Sequence, residues 1–187
     1  FMLSAIYMLV AFISFLFTWK TDQDQLMKSW GALLSNSDLH VDNWLGKLGA
    51  IVSHQFIHNW FGISSFLFIL VFFLIGFKIL SGISLLPMKK VVKHSLFALV
   101  WVSVAMGYFF HDQLLFLGGA FGFQVNHWLS SIIGSIGTAF FLLFVLASYS
   151  VVTFNLSLAF VGNWVGKSVF RDTPELAGAN GGSLGGM

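Results

Sequence analysis

Cysteine is absent from the 187 residues. That excludes disulfides, thiolate metal sites and cysteine nucleophiles together. Charge is scarce too: 9% of residues are charged against 57% hydrophobic, and the mean hydropathy is +0.87. A soluble domain normally has about a quarter of its residues charged, so these charges cannot wet a globular surface. Lipid must be the solvent for much of it. Nine Lys and Arg against seven Asp and Glu leave a net charge of +2 and a pI near 9.0. The basic residues form no stripe outside one short link, so this is not a nucleic-acid footprint. What the chain has in quantity is aromatic: 23 Phe, which suit the acyl core, and seven Trp, which suit the headgroup level. It opens at Phe1, without Met and inside an apolar run long enough to span. With no small-residue cleavage site after that run, a fragment of a longer protein is a better expectation than a cleaved signal peptide.

A helix needs about 20 apolar residues to cross the hydrocarbon core. Four stretches qualify or come close, at about 1–18, 61–80, 95–110 and 137–154. The third is short. Its hydrophobic length is expected to extend into 114–117 or to be met by bilayer thinning. The links differ in charge. Lys20, Lys28 and Lys47 stand against Asp22, Asp24, Asp38 and Asp42 in the first, and Asp112 is alone in the third. The second holds Lys78, Lys89, Lys90 and Lys93 with no acid. Cytoplasmic links hold the excess of Lys and Arg, so Lys89, Lys90 and Lys93 are the topology anchors and both termini are expected inside. Lys167 and Arg171 agree. Pro87 marks the break between the second and third spans.

The outer segments are more than linkers. In 43–60, Trp44, Leu45, Leu48, Val52 and Phe56 recur at helical spacing, with Asp42 or Asn43 placed to cap. The segment is too polar to span and reads as an amphipathic interfacial helix. Residues 118–134 look similar. Each is followed by a glycine, Gly62 or Gly137, and then a span. Gly49, Val52 and His54 fall in register with Gly122, Val125 and His127, which suggests an internal repeat. The expected fold is therefore all-α integral membrane, with four transmembrane helices and two interfacial amphipathic helices on the outer face. The transmembrane domain covers 1–170, and a flexible cytoplasmic linker begins at 171–187, rich in Gly, Ala, Ser and Asn.

Few constellations carry chemistry. His54 and His58 stand at i and i+4 on one helix face, a spacing that can share a metal. A third ligand would have to come from Asp38, His40, Asp42 or His127 by tertiary proximity, and Gln55 stands where a zincin has Glu. The alternative is a pair of amphipathic residues at headgroup level. His111-Asp112, at the end of the third span, fits a wetted terminus better than a proton relay. The stretch 162–168 resembles a phosphate loop but has three residues between its glycines, where four are needed. Lys167 reads as a snorkelling anchor. Gly76, Gly107 and Gly134 can let helices approach closely, and Gly118-Gly119 marks a turn. No acid lies within a span, and no catalytic or cofactor-binding residue is assigned.

These features together resemble the N-terminal four-span membrane domain of the FtsK/SpoIIIE family of bacterial DNA translocases. The likeness covers roughly 3–155. It is carried by LSAIYMLVAFISFLFTWK, NWLGKLGAIVSHQFIHNWFGISSFLF, MKKVVKHSLFALVW and FLGGAFGFQVNHWLSSIIGSIGTAFFLLF, in that order. The piece at 43–50 is the most distinctive. The resemblance implies an anchor at the division septum in the bacterial inner membrane that brings other division proteins together. A linker and a hexameric motor would lie beyond Met187. ATP, Mg, DNA and homo-oligomer formation would belong to that motor, so this chain is not expected to be an enzyme. Two other readings stand beside it. A small transporter or channel subunit would show a polar cavity reaching mid-bilayer. A membrane enzyme would hold a metal on His54 and His58.

Overall fold

A computed structural model describes residues 1–26, 30–110 and 114–154. Among them the fold is all-helical, without strands. Four helical stretches are long and apolar enough to cross a membrane: Met2–Asp24, Gly46–Ser81, Met88–Phe109 and Phe116–Phe154. The second and fourth, at 36 and 39 residues, far exceed the span requirement of about 20, and both are broken by backbone kinks.

Helix α1 runs Met2–Leu26. Ala5, Met8, Ala11, Phe12 and Phe15 are buried while Leu3, Ile6, Leu9 and Phe17 are exposed. The buried set recurs at three- and four-residue spacing, so one face packs and the other meets lipid. Lipid tails are as apolar as leucine, so close packing rather than water exclusion holds such helices together. A short helix α2, Trp30–Ser35, follows. The next long stretch opens as α3, Gly46–Ser53, passes through a π-helical segment, His54–Phe61, and a 3-10 turn, Gly62–Ser65, and continues as α4, Phe66–Ser81. The kink lies at Trp60, whose backbone leaves the helical region at φ −108° and ψ −109°.

Helices α1 and α4 pack antiparallel. Phe12 meets Phe66 edge-on at 5.4 Å near one end. Near the other, a Cβ on Gly76 would lie 2.5 Å from the Met2 nitrogen. A turn across Gly82 and Pro87 leads to α5, Met88–Phe109. This helix differs from the sequence expectation. It gains length at its lysine-bearing start, whereas 114–117 turn away: Leu115 opens α6, Leu115–Phe154, which is interrupted at Gly119 and Gly134. The turn at 82–87 defines a hairpin end of the bundle, and α3 with the start of α6 defines a loop end.

Contacts group the chain into two units, Phe1–Phe144 and Val145–Met187. In the second, the described residues are the last turns of α6, where the Ser150 hydroxyl donates to the Leu146 carbonyl at 2.8 Å.

Buried polar groups fix the loop end of the first unit. Asn43 is buried. Its side-chain nitrogen donates to the Ala11 carbonyl at 3.1 Å, and its Oδ1 accepts from the Leu45 N–H at 3.1 Å. It heads the turn before α3 without capping the helix by its side chain, since α3 starts at Gly46 after Leu45. Gly49 makes room for it: a Cβ there would lie 2.5 Å from Asn43 Oδ1. Asp22 is buried too, and its Oδ1 accepts the Asp42 N–H at 2.6 Å. Replacing Asn43 with alanine strands the Leu45 N–H and removes the tie to α1. The expected loss is about 1–3 kcal/mol, read as a lower unfolding midpoint in mild detergent. Unchanged stability would show that water satisfies these groups.

Candidate functional site

The halves of the chain meet at the loop end where two glycine backbones touch. Gly62 has φ +67° and ψ −146°, and Gly119 has φ +66° and ψ 172°. This region is essentially restricted to glycine. The two residues sit back to back. A Cβ on Gly62 would run into the Leu117 carbonyl, and one on Gly119 into the Trp60 carbonyl. Helix α5 closes in from the side. A Cβ on Gly118 would lie 2.5 Å from the Gly107 nitrogen, and one on Gly107 would lie 2.6 Å from the Gly122 carbonyl carbon. The Ser103 hydroxyl donates to the Gly118 carbonyl at 2.6 Å, and Asn126 Nδ2 to the Gly107 carbonyl at 3.3 Å. The Ser64 hydroxyl lies 2.9 Å from the Leu99 carbonyl, tying the 3-10 turn to α5.

Aromatic rings seal the junction. Phe61 and Phe121 approach to 4.9 Å. A cleft of about 420 Å³ opens beside them, lined by Asn59, Trp60, Phe61, Ala120, Phe121 and Gln124. Sequence reading gave Gly118-Gly119 as a turn; the structure makes it a turn and a close approach together. Gly76 and Gly107 do admit neighbouring backbone, but a Cβ on Gly134 would meet nothing within 4 Å. The partnership of Gly62 with Gly119 was missed. The one available signal was that each stands at a break between helical stretches.

The histidine pair sits on the π-helical segment. The His54 and His58 rings stack at 4.6 Å with planes 9° apart. Asn59 reaches a nitrogen of each ring: Oδ1 is 3.3 Å from His58 Nδ1, and Nδ2 is 3.5 Å from His54 Nδ1 and 3.0 Å from Gln55 Oε1. His54 is buried, and its Nε2 has no partner among the described residues. Stacked rings place their lone pairs side by side, not converging on one point. Asp38, His40, Asp42 and His127 are exposed. Among the described residues, no three His, Asp or Glu side chains gather to hold a metal ion. The expected result is equal zinc content in the wild-type chain and in His54→Ala/His58→Ala by elemental analysis. Loss of one zinc per chain in the variant would establish a metal centre.

Lys89, Lys90 and Lys93 are exposed at the hairpin end with Lys78. His111-Asp112, the stretch 162–168 with Lys167, Arg171, and the tail at 171–187 lie outside the described residues.

Four helical stretches fit to cross a membrane, locked through a buried glycine junction, define a multi-pass α-helical membrane domain. The chain matches the 4TM region of DNA translocase FtsK/SpoIIIE over residues 1–166, and it belongs to that family. It is the membrane-anchoring region of such a translocase, a membrane domain and not the motor. No curated protein and no solved structure matches it.

Proposed function

We propose that this domain holds a cell-division DNA translocase in the bacterial cytoplasmic membrane at the division septum, where it gathers other division proteins during chromosome segregation. The observation that carries the orientation is the sorting of charge along the bundle. Lys78, Lys89, Lys90 and Lys93 occupy the hairpin end without an acid, while Asp22, Asp24, Asp38 and Asp42 share the loop end with Lys20 and Lys47. The lysine end then faces the cytoplasm, with both termini, and the loop end faces outward. Trp44, in the turn before α3, and Trp60 and Trp128, on the helical stretches, are exposed, which suits them to lie at headgroup level. ATP hydrolysis with Mg, the grip on DNA and a hexameric ring belong to a motor beyond this chain.

A fluorescent fusion in dividing bacteria tests this. The expected signal lies in the cytoplasmic membrane and concentrates at septa. Uniform membrane fluorescence would remove the septal role, and a soluble pool would remove the anchor. A full-length gene without a Walker A motif would end the translocase reading.

A further inference from the structure

We infer that the cleft beside the glycine junction is a binding site for an uncharged sugar ring, carried on a lipid headgroup or on a polysaccharide at the membrane surface. Two elements build it. Asn59, Trp60 and Phe61 line one side, and Ala120, Phe121 and Gln124 line the other. On the α6 side the spacing is that of one helix face. On the opposite side three consecutive residues share the cleft. A regular helix turns each residue about 100° from the last, which would carry one of the three away. The non-helical backbone of Trp60, inside the π-helical segment, lets all three line it. Such π segments are frequent at functional sites.

The described lining is aromatic and polar at once, and it carries no charge. Trp60, Phe61 and Phe121 supply rings. Gln124 is exposed, and neither its amide nor the Trp60 indole has a hydrogen-bond partner among the described residues. Asn59 is held from behind: its Nδ2 donates to Gln55 Oε1 at 3.0 Å, and its Oδ1 lies 3.3 Å from His58 Nδ1. These contacts fix the amide and leave its Oδ1 with a further lone pair. The cleft therefore offers the Trp60 N–H as a donor, Asn59 Oδ1 as an acceptor and Gln124 as both.

Charge and hydrogen-bond sense select the ligand. An acyl chain would cover these polar groups and satisfy none of them. A phosphate would find no cation among the described lining residues and would face the Asn59 oxygen. An ammonium group would find aromatic rings but no acid, and would leave the two donors unmet. Hydroxyls both donate and accept, so they match all three groups, and the C–H faces of a sugar pack on aromatic rings. The volume of about 420 Å³ lies within the range of small-molecule sites, about 300–1,000 Å³. Exposed Trp60 and Trp128 suit this end of the bundle to headgroup level, where sugar headgroups lie. The site stands whichever side of the membrane the loop end faces.

The test reconstitutes the chain in phosphatidylcholine nanodiscs carrying diglucosyl diacylglycerol and phosphatidylglycerol in equal amounts, and counts the retained lipids by native mass spectrometry. The sugar lipid is expected to be enriched about tenfold over either phospholipid, the discrimination that about one or two net hydrogen bonds give. Gln124→Leu is expected to remove most of that enrichment. Its side chain has no partner to lose among the described residues, so the fold is kept. Ala120→Leu narrows the cleft without removing a polar group and is expected to do the same. Free maltose separates the two sources. Enrichment that maltose competes away assigns the sugar alone, as on a polysaccharide, and enrichment that survives maltose assigns a lipid headgroup. Equal retention of all the lipids would overturn the proposal. Sugar-lipid enrichment unchanged in both variants would place the sugar elsewhere and overturn it too. So would phosphatidylglycerol enriched above the sugar lipid and lost with Gln124→Leu, which would make the cleft an anion site.

Discussion

Gly119→Ala is expected to remove about 2–6 kcal/mol of stability, enough to deplete the folded domain from membranes. Two costs combine. An L residue held at φ +66° and ψ 172° carries about 1–3 kcal/mol of backbone strain. The new methyl would also overlap the Trp60 carbonyl and lie 2.5 Å from the Gly62 nitrogen. Overpacking of this kind costs about 1–3 kcal/mol more, and rigid backbone cannot yield as a flexible side chain would. Gly134→Ala separates the two costs. Its backbone is similar, at φ +75° and ψ 167°, but a Cβ there would meet nothing within 4 Å. In monomeric detergent solution it should lose only the strain, about 1–3 kcal/mol. Unfolding midpoints in a denaturant titration of the three proteins give the comparison. Equal losses at 119 and 134 would mean that the junction contributes no packing, and the account of how the two halves lock together would fail.

How much of this was legible in the sequence depends on the kind of signal. Apolar length and scarcity of charge are summed over many residues, so the all-helical membrane fold with four candidate spans could be read directly. Single-residue geometry could not. The third span looked short because a hydropathy reading stops at Lys93. In the structure α5 begins at Met88 and carries Lys89, Lys90 and Lys93 through its first turns, where long side chains can reach headgroups while their stems stay apolar. Asn43 was a plausible cap because Asn accepts from the N–H groups of a helix start. Its other bonds, to Ala11 and towards Ser53, join elements far apart in sequence and leave no local pattern. The π-helical segment was invisible for a similar reason. The α spacing of Trp44, Leu48 and Val52 predicts a helix through Trp60, yet the winding changes at His54, where nothing in residue type demands it. That change sets the stacked histidine pair beside Asn59. The i, i+4 spacing of His54 and His58 put them on one face but did not give the parallel stacking of their rings.

Replacing Lys89, Lys90 and Lys93 with glutamine is expected to disturb the orientation of the whole domain. Orientation is set by Lys and Arg close to span ends and only weakly by acids, so neutral glutamine suffices. Each lysine near an anionic membrane surface contributes about 1 kcal/mol, and three remove about 3 kcal/mol of bias, on the order of a hundredfold in the partition between two orientations. Lys78 alone is then left at the hairpin end, against Lys20 and Lys47 among the described residues of the loop end. The preference that, on the proposed topology, holds the hairpin in the cytoplasm is then expected to be lost or reversed. Ser84 is exposed in the turn, so Ser84→Cys gives a reporter thiol in a chain without any other. A membrane-impermeant maleimide applied to intact cells should leave that thiol unlabelled with the lysines present. It should label a large share of molecules in the glutamine variant. Labelling of Ser84→Cys from outside with all four lysines in place would reverse the proposed topology. A triple variant that stayed unlabelled would show that orientation is held elsewhere, and the loop end, with its locked glycines and balanced charges, would be the first place to look.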